Sequence, residues 1–219
     1  MMTLEDPIEV LVPGVAQAQI NQAAGLDLAV GLRSMMRQDP EVIGVGEIRD
    51  LATAEVAFQA SLTGHLLLCT FHAGSAAGVI GRLSEMGIEP YVIISGVRAI
   101  VCQRLLRRLC TCARRTEDPV ELLGINVSTA CVAVGCPQCR GTGYRGRVML
   151  AEILIPNTQR MRRAILAHAD VVRLEQMALR SGMVGLTERA RNAIEAGLTD
   201  PAEYRRVLGI FSSPIPSPS

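Results

Sequence analysis

The chain has 219 residues and a formal net charge of +1, with 49% apolar residues but only 3% aromatic ones. A chain of this length can bury one large core or two small ones, and its balanced charge predicts no nucleic-acid partner. The acidic N-terminus lacks the pattern of a signal peptide, and no apolar run reaches the roughly 18 residues of a membrane span. These features predict a soluble, cytoplasmic protein.

The basic residues exclude several kinds of chemistry. All 22 lysine-plus-arginine positions are arginine, and lysine does not occur. Schiff-base chemistry and a lysine nucleophile are therefore excluded within these residues. A complete G-x-x-x-x-G-K-[ST] loop is excluded too, because its lysine is the group that reaches the β- and γ-phosphates of a nucleotide.

The first ninety residues alternate between short apolar runs and helical patterns. In chain order, they predict a strand ending near Leu4, a helix capped by Asp27, a strand at 42–45, a helix capped by Asp50, a buried strand at 65–70 and a helix from Ser75 to about Met86. The Asp50 helix is predicted to bury one apolar stripe, which is Leu51, Ala54, Phe58 and Leu62. Strands and helices in alternation, with short joins, indicate an α/β fold with a parallel sheet.

Polar side chains follow the predicted strands. Glu5, Glu47 and His72 each come just after a strand. Parallel strands end at one edge of a sheet, where ligands of open α/β folds bind, so these groups are expected to meet there. Glu47 has two interpretations: a carboxylate that orients water or holds Mg²⁺ beside phosphates, or part of a helix start with a surface ion pair to Arg49. Glu5 could equally lie in a solvated acidic turn.

The second half of the chain has a different composition. A long amphipathic helix is predicted from Tyr91 to Arg108, and a helical tract from Gln159 to about Leu208. The arginines at the end of the first helix are predicted to be solvated or to contact phosphate or another subunit; they are Arg104, Arg107, Arg108, Arg114 and Arg115. The proline- and serine-rich residues 210–219 are predicted to be a disordered tail.

The cysteines favour a metal site. Cys136 and Cys139 form a two-residue-spaced pair before a glycine-rich turn, which is the arrangement that suits tetrahedral zinc. Cys110 and Cys112 are predicted to supply the other two thiolates, with Cys131 as an alternative for one of them. Four thiolates leave no open coordination position, so the predicted role of zinc is structural. Cys69 and Cys102 lie in apolar patterns and are predicted to be small core residues.

Several stretches, taken together and in order, resemble the type II secretion and type IV pilus assembly ATPase family. They are TLEDPIEV, QAQINQAAGLDLAVGLRSMMRQDPEVIGVGEIRD, ASLTGHLLLCTFHAGSAAGVIGRLSEMGIEP and QRLLRRLC, which correspond to that family's Asp box, Walker B segment and His box. GCPQCRGTGYRGR resembles its tetracysteine segment, and AEILIP to EYRRVLG resembles its C-terminal helical domain. The resemblance covers nearly all of residues 2–209.

The resemblance implies an architecture and a function. It implies the C-terminal half of a RecA-like P-loop NTPase core at 1–109, a zinc-binding segment at 110–147, a helical domain at 148–209 and the tail at 210–219. It also implies an ATP- and Mg²⁺-dependent motor subunit of a homo-hexameric ring, cytoplasmic and peripheral to an inner-membrane platform protein. The implied roles are catalysis for Glu5 and Glu47, nucleotide sensing for His65, His72 and Arg49, and zinc binding for Cys110, Cys112, Cys136 and Cys139.

The missing lysine leaves alternatives open. Family members carry the lysine-containing loop before the Asp box, where these 219 residues begin. The sequence is therefore expected to be either part of a motor subunit that cannot hydrolyse ATP alone, or a non-catalytic, zinc-stabilised relative that joins rings of a full-length paralogue. A third interpretation, a DnaJ-type chaperone module, rests on CPQCRGTG alone, whereas those chaperones repeat that unit several times.

Overall fold

A computed structural model describes residues 1–209 of the chain; the predicted disordered tail lies outside them. These residues fold into two compact units. Unit 1 contains Met1–Ile100 and Leu154–Ser181, and unit 2 contains Val101–Ile153 and the described residues from Gly182 onward. The domain boundaries suggested by the sequence motifs remain a prediction.

The strands and helices alternate through the first half of the chain. Its elements are β1 (Met2–Glu5), β2 (Ala16–Gln19), α1 (Leu28–Met35), β3 (Val42–Val45), α2 (Leu51–Leu62), β4 (Leu66–Cys69), α3 (Ala76–Glu85) and α4 (Pro90–Gly96). The second half contains β5 (Ile100–Leu109), β6 (Arg114–Thr116), α5 (Pro119–Leu122), β7 (Ala130–Val132), β8 (Tyr144–Leu154), α6 (Gln159–Leu166), α7 (Val171–Arg180), α8 (Leu186–Glu195) and α9 (Pro201–Leu208). Short 3₁₀ helices occur at Gln22–Ala24, Met36–Gln38 and Pro137–Cys139.

Unit 1 is built on the predicted parallel sheet, whose strand order is β2-β1-β3-β4. Side chains from its two central strands form the fully buried part of the sheet, among them Leu4 and Ile43. The predicted caps are confirmed, since Asp27, Asp50 and Ser75 each accept a hydrogen bond from a backbone N–H in the first turn of their helix. Such a cap satisfies one of the N–H groups that a helix start leaves unpaired.

The sheet is covered unevenly. Helix α1 packs on β1 and β3, and α2 packs on β4. Strand β4 is an edge strand, and its Leu66, Leu68 and Cys69 side chains are exposed, so the prediction of a buried strand and of Cys69 as a core residue is wrong. Alternation places Leu66 and Leu68 on one face of the strand and Cys69 on the other, so this edge strand is exposed on both faces. Cys102, by contrast, is buried as predicted.

The prediction of which α2 side chains are buried is confirmed for two of the four residues. Ala54 and Phe58 are buried, whereas Leu51 and Leu62 at the two ends of the helix are exposed. The buried face is completed instead by Thr53, Val56, Ala57 and Ala60. Small side chains therefore make up most of this contact surface, as expected for a protein with so few aromatic residues.

The predicted helix from Tyr91 to Arg108 is wrong. Helix α4 ends at Gly96, whose carbonyl accepts a hydrogen bond from Ser61 Oγ at 3.0 Å. A Cβ at Gly96 would lie 2.6 Å from the Phe58 ring, so the glycine allows a close approach to α2. The chain then becomes strand β5, which pairs with β8. The arginines predicted at a helix end consequently lie on or beside strands β5 and β6.

Unit 2 combines the β5–β8 ribbon with an antiparallel β6–β7 pair and the helices α5, α8 and α9. Within residues 1–209, no helix is both long and apolar enough to span a membrane. The helical tract predicted from Gln159 to Leu208 is present as α6 to α9, with glycines between successive helices at Gly182, Gly185 and Gly197.

A buried carboxylate connects the ribbon of unit 2 to α9. Glu203 is fully buried and accepts hydrogen bonds from the backbone N–H of Arg107 at 2.7 Å and from its Nε at 2.8 Å. Arg206 Nε donates to the same carboxylate at 2.6 Å. Its hydrogen bonds with Arg206, opposed by burial and assisted by Arg107, lower the pKa of Glu203 to about 2. The arrangement satisfies a charge that would be very costly to bury alone.

We expect Glu203→Gln to lower the free energy of unfolding at pH 7 by about 2 kcal/mol, a figure reduced because both arginine partners are half exposed. Because the pKa of Glu203 is lower in the folded protein than in the unfolded chain, its ionised carboxylate stabilises the fold above about pH 4.5. This contribution to the free energy of unfolding is lost as the pH falls toward 2. Denaturant titrations from pH 7 to pH 2 measure this difference.

The matched control is Glu195→Gln, at an exposed residue at the end of α8 in the same unit. It should change the free energy of unfolding by less than about 0.5 kcal/mol. Equal stability of the two variants at pH 7 would contradict the role given to Glu203.

Candidate functional site

The carboxyl ends of β1, β3 and β4 lie at one edge of the sheet of unit 1. Leu4 pairs with Val45, and Val45 pairs with Cys69, in parallel register. The segments beyond the strands remain joined: Gly46 N–H donates to the Leu4 carbonyl at 2.8 Å, and Thr70 Oγ1 donates to the Gly46 carbonyl at 2.6 Å. The residues that follow the three strands are therefore held close together.

Glu47 is the centre of the charged groups at this edge. Its Oε2 lies 2.7 Å from Nε2 of His72, and its Oε1 forms an ion pair with Arg49 Nη2. The Glu47 side chain is 20% exposed, whereas those of its two partners are mostly exposed. The ion pair that the simpler interpretation predicted is thus present, but it belongs to a cluster that also contains an imidazole from another strand.

Glu5 lies at the same edge with partners of its own. Thr3 Oγ1 donates to Glu5 Oε1 at 2.6 Å, and Gln17 Nε2 donates to the same oxygen at 2.9 Å. These two hydrogen bonds, that from Thr3 first, lower the pKa of Glu5 and keep it ionised at neutral pH. The sequence analysis did not identify Gln17. The only signal in the sequence was the alternating stretch AQAQ, which indicates a strand with both glutamines on one face.

Glu5 and Glu47 line one cavity of about 600 Å³. Arg49, Gly46 and Thr70 contribute to its wall, and the β1–β2 loop contributes Asp6, Pro7, Glu9, Val10 and Val12. The lining of the cavity therefore combines carboxylate oxygens, a guanidinium and apolar side chains. Hard oxygen donors of this kind are the ligands that Mg²⁺ prefers.

His65 is not brought to this edge. It precedes β4, at the end of the strand opposite to His72. Its Nδ1 lies 3.1 Å from the Ala60 carbonyl and 3.3 Å from Thr63 Oγ1, so the ring is fixed to the end of α2. Its assignment to nucleotide sensing remains a prediction from the resemblance alone.

Four cysteines of unit 2 form a compact cluster: Cys110, Cys112, Cys136 and Cys139, whose sulfur atoms all lie within 4.8 Å of one another. The Cys110–Cys136 and Cys112–Cys139 sulfur distances are both 3.9 Å, and the Cys136–Cys139 distance is 3.8 Å. A tetrahedral zinc site with Zn–S bonds of about 2.3 Å places its sulfur atoms about 3.8 Å apart. These three sulfur–sulfur distances match that geometry, and none of the four cysteines is paired in a disulfide.

The turn that contains Cys139 stabilises the thiolate form of that cysteine. The backbone N–H groups of Cys136 and Gly143 point at Cys139 Sγ, at 3.1 and 3.2 Å. Burial alone would raise the pKa of Cys139, but these N–H groups and the neighbouring thiols lower it to about 6. Four thiolates this close together repel one another, so their joint ionisation needs a cation at the centre.

Glycines give this turn its shape. Gly143 has φ +77°, and a Cβ there would lie 2.5 Å from the Ala133 Cβ. Gly135 has φ +113°, and a Cβ there would lie 2.6 Å from the Gly141 carbonyl oxygen. Both positions combine a left-handed backbone with a close approach that only glycine permits. Cys131, the alternative ligand considered from spacing, does not belong to the cluster of four.

Known relatives of the chain come from secretion and pilus systems. The model of the family described as "Type II/IV secretion system protein" matches residues 1–206. The type II secretion system protein HxcR of Pseudomonas aeruginosa is 40% identical over 207 residues, which are 94% of this chain and 42% of that protein. The type IV pilus assembly ATPase PilB of Thermus thermophilus is 41% identical over 206 residues, covering 90% of this chain and 23% of that protein.

Solved structures give the same answer for the fold. A crystal structure of the pilus retraction motor PilT with bound ADP superposes with a TM-score of 0.67 at 27% identity, covering 99% of this chain and 53% of that one. The Legionella pneumophila ATPase DotB shares the fold, with a TM-score of 0.64 at 23% identity. The chain spans less than half the length of the curated relatives named here. On these grounds, and with a RecA-like parallel sheet and a four-cysteine cluster, the chain belongs to the type II/IV secretion system protein family.

Proposed function

We propose that residues 1–209 form the water-activating half of the nucleotide site in an ATP-driven motor for type II secretion or type IV pilus assembly. The observation that carries this proposal is the Glu47 carboxylate, held 2.7 Å from His72 and lining one cavity with Glu5. Phosphoryl transfer depends on positioning and charge stabilisation more than on covalent chemistry, so such a cluster suits it.

Each side chain of the cluster has a role in this proposal. The ionised Glu5 orients and polarises a water molecule, because Thr3 and Gln17 fix the direction of its carboxylate. Glu47 supplies oxygen atoms toward Mg²⁺, and Mg²⁺ when bound neutralises the charge of the phosphates. His72 and Arg49, which share the Glu47 carboxylate, respond when the anionic phosphates of a nucleotide compete with Glu47 for them.

The 219 residues lack one component of such a site. They contain no lysine and no G-x-x-x-x-G-K-[ST] loop, the segment whose backbone N–H groups and lysine hold the β- and γ-phosphates. We therefore propose that the 219-residue chain alone does not hydrolyse ATP. In the motor, it acts beside a phosphate-binding loop, in a ring of copies attached to an inner-membrane platform protein and located on its cytoplasmic side.

A second candidate function follows from the same missing lysine. The chain would then be a non-catalytic module, stabilised by zinc, that joins rings of a full-length paralogue. The two candidates differ in one property: only the first gives hydrolysis when a phosphate-binding loop is supplied.

The cysteine cluster is proposed to bind one structural zinc ion. Its sulfur spacing fits tetrahedral coordination, and Cys110, Cys112, Cys136 and Cys139 fill all four positions. Zinc bound by these four cysteines would hold the end of β5 next to the start of β8, where Cys110 N–H also donates to the Gly143 carbonyl at 2.9 Å.

The catalytic proposal predicts the effect of Glu47→Gln in a chimera in which residues 1–209 replace the matching segment of Pseudomonas HxcR. The family resemblance implies that the rest of HxcR supplies the lysine-containing loop. The chimera should therefore hydrolyse ATP, and Glu47→Gln should lower kcat about 100-fold or more. Steady-state phosphate release measures both. The unmodified 219-residue chain should release no phosphate above the level of its own Glu47→Gln variant.

The control is Glu41→Gln, at an exposed residue just before β3, at the other end of the same strand. It should leave kcat within about twofold of the parent chimera. An active chimera that tolerates Glu47→Gln would contradict the catalytic role, and a folded, ring-forming chimera without activity would favour the non-catalytic module.

The metal proposal predicts about one zinc per chain in protein purified under reducing conditions. Cys136→Ser with Cys139→Ser should remove it and lower the melting temperature, because the four-thiolate site is lost. Mass spectrometry of the metal content measures the outcome. Cys131→Ser, outside the cluster, should leave the zinc content unchanged; loss of zinc from that variant would contradict the assigned ligand set.

The turn geometry gives a finer prediction. Gly141 and Gly143 share φ +77°, but a Cβ at Gly141 would meet nothing within 4 Å. Alanine should therefore cost about 1 kcal/mol of folding stability at either position for the left-handed backbone, and roughly 1–3 kcal/mol more at Gly143 for the clash with Ala133. Zinc competition with a chromophoric chelator should show weaker binding only for Gly143→Ala. Equal affinities of the two variants would contradict this account of the turn.

A further inference from the structure

The residue that follows β4 holds the peptide groups on both sides of Glu47. Thr70 Oγ1 donates to the Gly46 carbonyl at 2.6 Å, and the Thr70 carbonyl accepts a hydrogen bond from Ile48 N–H at 3.1 Å. The first bond fixes the peptide group before Glu47, and the second fixes the peptide group after it. Because each peptide group is planar, the two bonds together restrict the φ and ψ angles of Glu47 and the direction in which its side chain leaves the backbone.

Two further contacts complete the support of this segment. His72, two residues beyond Thr70, has its Nε2 atom 2.7 Å from Glu47 Oε2. On the side of β1, Gly46 N–H donates to the Leu4 carbonyl at 2.8 Å. The short segment after β4 therefore contacts Glu47 at three points, which are the peptide group before it, the peptide group after it and the carboxylate.

We propose that Thr70 is a positioning residue, whose hydroxyl group sets the orientation of the Glu47 carboxylate. Thr70 is exposed, so water is available to its hydroxyl and burial does not force the bond to the Gly46 carbonyl. The bond instead fixes the backbone next to the carboxylate on which the proposed site depends. Orientation matters in such a site, because a misplacement of about 1 Å can lower a rate about a hundredfold.

This inference rests on the proposed function for its effect on catalysis, since Thr70 acts through Glu47. The positioning itself is a property of the chain without nucleotide. Two measurements therefore separate the two proposals: the rate of ATP hydrolysis in the HxcR chimera, and the local stability of the backbone around Glu47 in the 219-residue chain.

The first test compares two substitutions of Thr70 in the chimera. Valine keeps the branched shape of threonine but removes the hydroxyl, so Thr70→Val should lower kcat about tenfold or more and leave KM for ATP within about twofold. Thr70→Ser keeps the donor and should retain kcat within about threefold. Combining Thr70→Val with Glu47→Gln should lower kcat no further than Glu47→Gln alone, because the hydroxyl acts only through that carboxylate.

The matched control is Thr199→Val in unit 2, which removes a hydrogen bond of the same kind, from Thr199 Oγ1 to the Arg107 carbonyl at 3.0 Å. It should leave kcat within about twofold of the parent chimera. A kcat for Thr70→Val equal to that of the parent overturns the inference, and so does a further loss in the double variant. A rise in KM with kcat unchanged also overturns it, because the hydroxyl would then contact the nucleotide.

The second test is hydrogen exchange of the 219-residue chain, followed by NMR without nucleotide. The Ile48 amide should exchange about tenfold or more faster in Thr70→Val than in the parent and in Thr70→Ser, because its segment loses one attachment to β4. The Ala54 amide, which donates to the Asp50 carbonyl in α2, is the reference for the stability of the unit and should be unchanged.

Equal exchange of the Ile48 amide in all three chains overturns the inference, whatever the activity of the chimera. If Glu47→Gln leaves the chimera fully active, the catalytic proposal fails. The exchange rates then still decide whether Thr70 positions Glu47.

Discussion

The parallel register of β1, β3 and β4 is the constraint on which the candidate site depends. Leu4, Val45 and Cys69 lie side by side, and the chain leaves all three strands in the same direction. A slip of one residue would turn each side chain to the opposite face of the sheet. The buried residues Leu4, Ile43 and Val45 therefore fix more than the core, because they decide that Glu5, Glu47 and His72 meet.

Unit 2 is stabilised by a different kind of contact. Its polar links join segments far apart in the chain: Glu203 joins α9 to β5, and Tyr144 OH donates to Asp200 Oδ2 at 2.6 Å, which joins β8 to the start of α9. The Arg107 guanidinium also stacks on the Tyr144 ring, 4.0 Å from its centre. With few aromatic side chains available, buried hydrogen bonds between distant segments take over part of the task of fixing this unit.

The sequence predicted those features that depend on neighbouring residues. The caps Asp27, Asp50 and Ser75 act within one helical turn, and the parallel strands follow from short apolar runs between helices. The helix predicted at 91–108 failed because leucines and arginines in that stretch also fit a helical period. The contacts that decide for a strand come from Phe58 at one end and Glu203 at the other, and neither is visible in the local pattern.

The candidate site divides in the same way. Glu5 is the last residue of β1, and Glu47 and His72 follow β3 and β4, so topology alone could place them at one edge. Gln17 and the ring of His65 depend on side-chain contacts that spacing does not encode. For the cysteines, spacing left Cys112 and Cys131 as alternatives, and the sulfur positions group Cys112 with the other three.

The most direct measurement is a crystal structure of the HxcR chimera with Mn²⁺ and a non-hydrolysable ATP analogue, with the manganese located by its anomalous signal. We expect the ion at the Glu47 carboxylate, bound directly or through one water molecule, with the terminal phosphate facing Glu5. A nucleotide bound away from this edge of the sheet would contradict it.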